Sequence, residues 1–110
     1  DFFKTGEMKT AGSWLVEGIG EDFVPSNCDL SFVTEAITVM DKQAFLAVRT
    51  LLEQEGILAG SSSGVLLHAA LNYCRAQKKP KRVVTLVCDT GNKYLSKAFN
   101  KEWLKLHNLI

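Results

Sequence analysis

Residues 56–74 read GILAGSSSGVLLHAALNYC, and how this stretch is parsed decides the fold. Gly60-Ser61-Ser62-Ser63-Gly64 is a small-residue loop placed directly before a run with helical composition. Such a loop leaves free backbone N–H groups at a helix N-terminus, where a ligand can approach closely. Glycine removes the Cβ obstruction, and serine offers a neutral hydroxyl that donates or accepts one hydrogen bond. The residues alone leave two readings open, a small-molecule loop and a serine-rich helix cap without a ligand. Val65, Leu66, Leu67, Ala69, Ala70, Leu71 and Tyr73 make the following helix apolar nearly all round, so it is expected to be covered on several sides.

Working upstream, Ala44, Phe45, Ala47, Val48, Leu51 and Leu52 recur at helical spacing, with Lys42, Arg49, Glu53 and Gln54 facing away. Asp41 is the expected N-cap of this amphipathic helix and Gly56 its stop. Phe32 to Met40 is rich in β-branched residues and predicts an extended segment. Trp14 to Gly20 reads as a short strand entering a turn. Gly18 and Gly20 invite a GxGxxG reading, but Phe23 holds the third position and no helical pattern opens there. Residues 1–12 are expected to form a loop or tail, and 13–110 one unit.

Downstream, Arg82-Val83-Val84-Thr85-Leu86-Val87-Cys88 is nearly continuous in apolar and β-branched residues. It predicts a strand buried on both faces of a parallel or mixed sheet. Asp89-Thr90-Gly91-Asn92 is the turn at its carboxyl end, and Leu95, Ala98, Phe99 and Trp103 predict a final amphipathic helix beginning near Lys93. The expected fold class is therefore α/β, a sheet flanked by helices. In such sheets ligands gather at the carboxyl ends of strands, so Asp89 and Thr90 are expected to close a crevice near the serine loop.

The 110 residues carry 46% hydrophobic and 23% charged side chains and a net charge of +1, an ordinary globular balance. No basic stripe or aromatic cluster suggests nucleic acid. No apolar run approaches membrane-spanning length. The three cysteines, Cys28, Cys74 and Cys88, lack metal-ligand or disulfide spacing and are expected to be small core residues. No metal site is expected, and the cytoplasm is the expected compartment. His68 and His107 read as core or surface residues rather than catalytic ones.

Three segments together, Val16–Pro25 (VEGIGEDFVP), Glu55–Gly64 (EGILAGSSSG) and Val84–Trp103 (VTLVCDTGNKYLSKAFNKEW), resemble the cystathionine β-synthase/cysteine synthase family of pyridoxal-phosphate enzymes, fold type II. Their order and spacing cover nearly the whole chain. The ending YLSKAFNKEWL looks most like the cystathionine β-synthase branch. The resemblance implies the C-terminal part of a catalytic unit whose Schiff-base lysine, phosphate loop and ring-oxygen asparagine lie upstream. No lysine here matches the family's Schiff-base motif. The implied reading is a fragment, inactive alone, with no catalytic residue of its own and no covalently held cofactor.

The same resemblance assigns Ser62 to the cofactor's ring nitrogen, displacing the phosphate reading that a helix N-terminus first suggests. A carboxylate at that place would hold the nitrogen protonated, whereas a neutral hydroxyl does not, which favours β-elimination over transamination. Ser61 and Ser63 are expected to serve the loop and cap. Gly18 and Gly20 resemble a segment at the active-site mouth, on the substrate side. The complete enzyme, expected to be a homodimer, would take an amino acid such as serine or O-acetylserine, and a thiol such as homocysteine, or sulfide. A non-catalytic remnant that pairs with a partner through exposed apolar faces is the alternative.

Overall fold

The structure is a computed structural model that describes residues 2–7, 12–21 and 23–110. Four α-helices follow in order, α1 (Phe2–Thr5), α2 (Asp41–Glu55), α3 (Ser61–Ala76) and α4 (Lys101–Leu106), with 3-10 helices at Leu30–Phe32 and Gly91–Tyr94. The single turn of α1 falls within the stretch expected to be a loop, of which residues 1 and 8–11 lie outside the described set.

Helix α2 forms where its apolar spacing places it and buries Ala44, Phe45, Ala47 and Val48. Gly56 ends it in the left-handed region at φ 68°, its N–H donating to the Leu52 carbonyl. Its N-cap is Met40, one residue before the predicted Asp41. The Gln43 side chain accepts the Met40 N–H at 2.9 Å, which leaves Asp41 free for another task. The Asp41 carboxylate accepts from the Leu15 N–H (2.8 Å) and the Val16 N–H (3.3 Å) and so ties this segment, irregular with bends instead of the strand expected from Trp14, to the start of α2.

Helices α2 and α3 pack against each other. The contact depends on Gly64, where an added Cβ would lie 2.1 Å from the Ala44 carbonyl oxygen. Behind this pair, Phe45, Val48, Ala59, Tyr94, Ala98 and Leu104 form the centre of the core, joined by Val16 and Leu109. Phe45 meets Trp103 with ring centroids 5.5 Å apart. Burying a phenyl side chain of this size contributes about 1.5–3 kcal/mol.

Four expectations are corrected. Only the first turn of α3 is buried; Leu71 and Tyr73 are exposed, because α2 covers one side of the helix and the described residues put nothing over its far end. The final helix is broken in two: Asn100 accepts from the Glu102 and Trp103 N–H groups, a side-chain cap that starts α4 afresh at Lys101. Cys28, Cys74 and Cys88 are exposed thiols rather than core residues, lying on extended segments or on the outer end of α3. Finally, Arg82–Cys88 is not a buried strand. Val84 is 84% exposed and Leu86 68%, and the described residues form no ladder, only an isolated antiparallel bridge between Ala59 and Thr90. A strand's donors and acceptors are satisfied by neighbouring strands, and among the described residues no backbone–backbone hydrogen bond pairs this segment with another.

Candidate functional site

Gly60 is the N-cap of α3, and Ser61, Ser62 and Ser63 form its first turn. All three serines are buried, with Ser62 the most accessible at 7%. Serine at these positions is compatible with the helix start, and burial there follows from the α2 contact made one residue later by Gly64. The Ser63 hydroxyl accepts the Cys88 N–H at 3.0 Å. The Ser62 hydroxyl has no hydrogen-bond partner among the described residues. It is thus a nearly buried donor at the positive end of a helix, with its hydrogen-bonding capacity unspent.

The turn after residue 88 clasps this loop. The Gly60 N–H donates to the Asp89 carbonyl at 3.2 Å, and the Gly91 N–H donates to the Leu58 carbonyl at 3.0 Å. The Tyr94 hydroxyl donates to Asp89 Oδ2 at 2.8 Å, while Asp89 Oδ1 is buried without a hydrogen-bond partner among the described residues. The acidic partner holds the Tyr94 phenol above its ordinary ionisation range, first through the hydrogen bond and then through burial. Asp89 is therefore next to the serine loop, as the sequence predicts, and Thr90 bridges to Ala59. Asn92 is exposed.

Gly18 and Gly20 have positive φ, 75° and 84°. Gly18 faces open space, whereas a Cβ on Gly20 would meet the Trp14 indole at 3.1 Å. Gly20 lines a cavity of about 380 Å³ together with Trp14, Val16, Ile19, Met40 and Val65. Val65, three residues beyond Ser62 on α3, is the cavity's link to the serine turn; Ser62 itself does not line it, and neither does Gly18. Glu17, beside these glycines, pairs with Lys97 and so ties the glycine turn to the C-terminal segment. His68 bonds to Asn72 at 2.8 Å, and His107 stacks on Trp103 with centroids 4.2 Å apart, both away from the loop.

Sequence reasoning missed the work of Ser63, Asp41 and Tyr94. The first two look like caps in one dimension, and their partners lie 25 or more residues away. A readable signal existed for Tyr94: it follows Asp89 by five residues across a glycine turn, close enough for the two side chains to meet. No group of three or more His, Cys, Asp or Glu among the described residues is placed to hold a metal ion. No helix among them is long and apolar enough to cross a membrane.

This geometry meets three lines of comparison. The family model described as pyridoxal-phosphate dependent enzyme matches residues 1–89, and the chain belongs to that family. It is 38% identical over 95 residues to a cysteine synthase of Buchnera aphidicola subsp. Acyrthosiphon pisum, covering 86% of this chain and 30% of that protein. It is equally similar, 38% over 95 residues, to a cystathionine beta-synthase of Dictyostelium discoideum, covering 86% of this chain and 19% of that one. The crystal structure of O-ureido-L-serine synthase superposes with a TM-score of 0.79 at 28% identity, over 89% of this chain and 30% of its own. The chain thus spans about a third or less of the relatives it matches, and it shares the fold of that family over the region compared.

Proposed function

We propose that this chain contributes the Ser62 wall of a pyridoxal-phosphate site in a β-replacement enzyme. The observation that carries the reading is the Ser62 hydroxyl, nearly buried at the start of α3 and without a partner among the described residues. A neutral donor so placed fits a ring nitrogen that is to be hydrogen-bonded but not held protonated. When bound, the cofactor supplies an electron sink that lets a β-substituent leave an amino acid and a sulfur nucleophile take its place. Ser62 tunes that sink by donating its proton without transferring it. The side chains absent at Gly18 and Gly20 leave the substrate mouth open, and the Glu17–Lys97 pair holds the turn in place.

The preferred reaction is that of cystathionine β-synthase, serine plus homocysteine giving cystathionine and water. The reaction of cysteine synthase, O-acetylserine plus sulfide giving cysteine and acetate, is the second reading. It stands beside the first because this chain is equally identical, 38%, to the Buchnera cysteine synthase and the Dictyostelium cystathionine beta-synthase. The complete enzyme acts in the cytoplasm as a homodimer. There, Arg82–Cys88 enters the sheet that its composition predicts. This chain by itself forms no covalent bond to the cofactor and turns nothing over, since none of its lysines lies in a Schiff-base motif.

The test is Ser62→Asp in the complete enzyme, assayed with both substrate pairs. A carboxylate at the ring nitrogen is expected to lower β-replacement by more than about a hundredfold, as expected for removal of one well-placed electrostatic contact. The substrate pair that gives turnover in the parent enzyme decides between the two readings. Unchanged turnover in the variant would count against the ring-nitrogen assignment.

A further inference from the structure

We infer that Asp89 and Tyr94 form a positioning pair for Ser62, latching the Gly60–Ser63 turn by direct contact at Gly60. The inference rests on the reading of Ser62 given above and adds two residues that it does not use.

The latch is built from contacts of different kinds that converge on one turn. Asp89 accepts from the Gly60 N–H through its backbone carbonyl, and its Oδ1 fills the space where Gly60 lacks a Cβ. A methyl group on Gly60 would lie 2.0 Å from that oxygen and 2.7 Å from the Tyr94 ring. The Tyr94 hydroxyl fixes the other carboxylate oxygen, Oδ2, so the carboxylate cannot swing away without breaking a charge-assisted bond. Ser63, next to Ser62, is in turn held by the N–H of Cys88, the residue before Asp89. Ser61 and Ser62, neither with a side-chain hydrogen bond among the described residues, therefore lie between two held residues, Gly60 and Ser63. A carboxylate at the N-terminus of α3 also complements the helix dipole, which holds the turn against fraying.

Two side chains thus do for Ser62 what no contact of its own does among the described residues. Tyr94→Phe keeps the ring and removes only the hydroxyl. In this chain, without cofactor, hydrogen exchange at the Gly60–Ser63 and Cys88 amides is expected to accelerate by about tenfold or more, the effect of one hydrogen bond to a charged group. Exchange at Val48 in α2 is expected to stay unchanged. Asp89→Asn, which retains an acceptor for the phenol, is expected to rescue most of the protection that Asp89→Ala loses. Unchanged loop exchange, or equal acceleration throughout α2, would overturn the latch.

The second measurement is made on the complete, cofactor-loaded enzyme, where the cofactor's absorption band reports on the ring nitrogen. Tyr94→Phe is expected to shift that band in the same sense as Ser62→Ala, and to add nothing further in a Ser62→Ala background, as for residues acting through one another. Independent, additive effects would overturn the positioning of Ser62. If the latch loosens in the exchange experiment but Ser62→Ala leaves the band unmoved, the ring-nitrogen reading fails while the latch stands.

Discussion

The two halves of this molecule obey the same chemistry with opposite results. The half made of α2, the serine turn of α3 and the segment from Asp89 to Leu109 carries the core, burying Phe45, Val48, Tyr94, Ala98 and Leu104. The stretches from Phe23 to Met40 and from Lys81 to Cys88 are comparably apolar, yet leave Phe32, Met40, Val84 and Leu86 open to solvent. The difference lies in where each backbone finds its partners. A helix satisfies its own donors and acceptors, so α2 and α3 need only each other's faces. An extended segment depends on a neighbour beside it, and among the described residues the backbone of 81–88 is tied only at its end, where the Cys88 N–H donates to the Ser63 hydroxyl. Local order in the first open stretch is a turn closed by the Cys28 N–H donating to the Pro25 carbonyl and a 3-10 turn capped by Asp29, whose carboxyl is held below its ordinary range by the Ser31 hydrogen bonds.

The comparison breaks most sharply at Phe45. Its side chain is 2% exposed and packs on Trp103, linking α2 to α4. Phe45→Ala is expected to cost about 3–5 kcal/mol of unfolding free energy, the usual range for a buried phenylalanine removed without collapse of the cavity. Denaturant titration checks this. A loss below about 1 kcal/mol would mean the packed half is no better consolidated than the open one.

Next in size is Gly64→Ala. Its methyl group would sit 2.1 Å from a backbone oxygen of α2 and 3.1 Å from Val48 Cβ, so neither helix can yield by rotating a side chain. The helices must separate, at a cost of about 1–3 kcal/mol. Because the serine turn begins the same helix, the variant is also expected to expose Ser61 and Ser63 to solvent. Thermal melting together with hydrogen exchange at the α3 N-terminus tests both effects.

What the sequence revealed and what it concealed follow the same division. The 3.6-residue spacing through Ala44, Phe45, Ala47 and Val48 is a local signal, and Gly56 is a local stop; both are in the structure as read. The serine stretch was legible as lying at a helix start, but it was read as a loop ahead of the helix, whereas Ser61–Gly64 form the first turn of α3 itself. The role of Asp41 was hidden because its partners, Leu15 and Val16, are distant in sequence. The break before α4 was hidden for the opposite reason. Asn100 competes with the helix backbone through its own side chain, and a pattern of apolar residues carries no mark of that competition. The apolar run at 82–88 predicted a strand buried on both faces, and the structure leaves it exposed, because composition says nothing of whether neighbours are at hand.

The Tyr94–Asp89 bond gives the packed half a dependence on alkaline pH, whereas the shifted group of the open half, Asp29, acts in the acid range. The phenol's ionisation is raised on folding, so the protonated form is favoured by the native state. The stability it contributes is present in full below the ordinary tyrosine value of about 10 and is lost as pH rises through the higher native value. Unfolding followed between about pH 9 and 12 is therefore expected to show a decline that Tyr94→Phe abolishes. A decline of the same size in the variant would assign it to other groups.

The smallest expected effect sharpens the comparison from the other side. Val84 is 84% exposed, so Val84→Thr in this chain should alter stability by no more than about 0.5 kcal/mol. The same substitution in the complete enzyme is a different experiment. If Arg82–Cys88 there enters a sheet with both faces covered, the threonine hydroxyl is buried without a ready partner and costs about 1–3 kcal/mol. The two values should differ, and the difference measures the burial that the rest of the domain supplies to this segment. Equal, small values in both settings would mean that the segment stays at the surface of the whole enzyme, and that its β-branched residues serve extension of the backbone rather than a buried sheet.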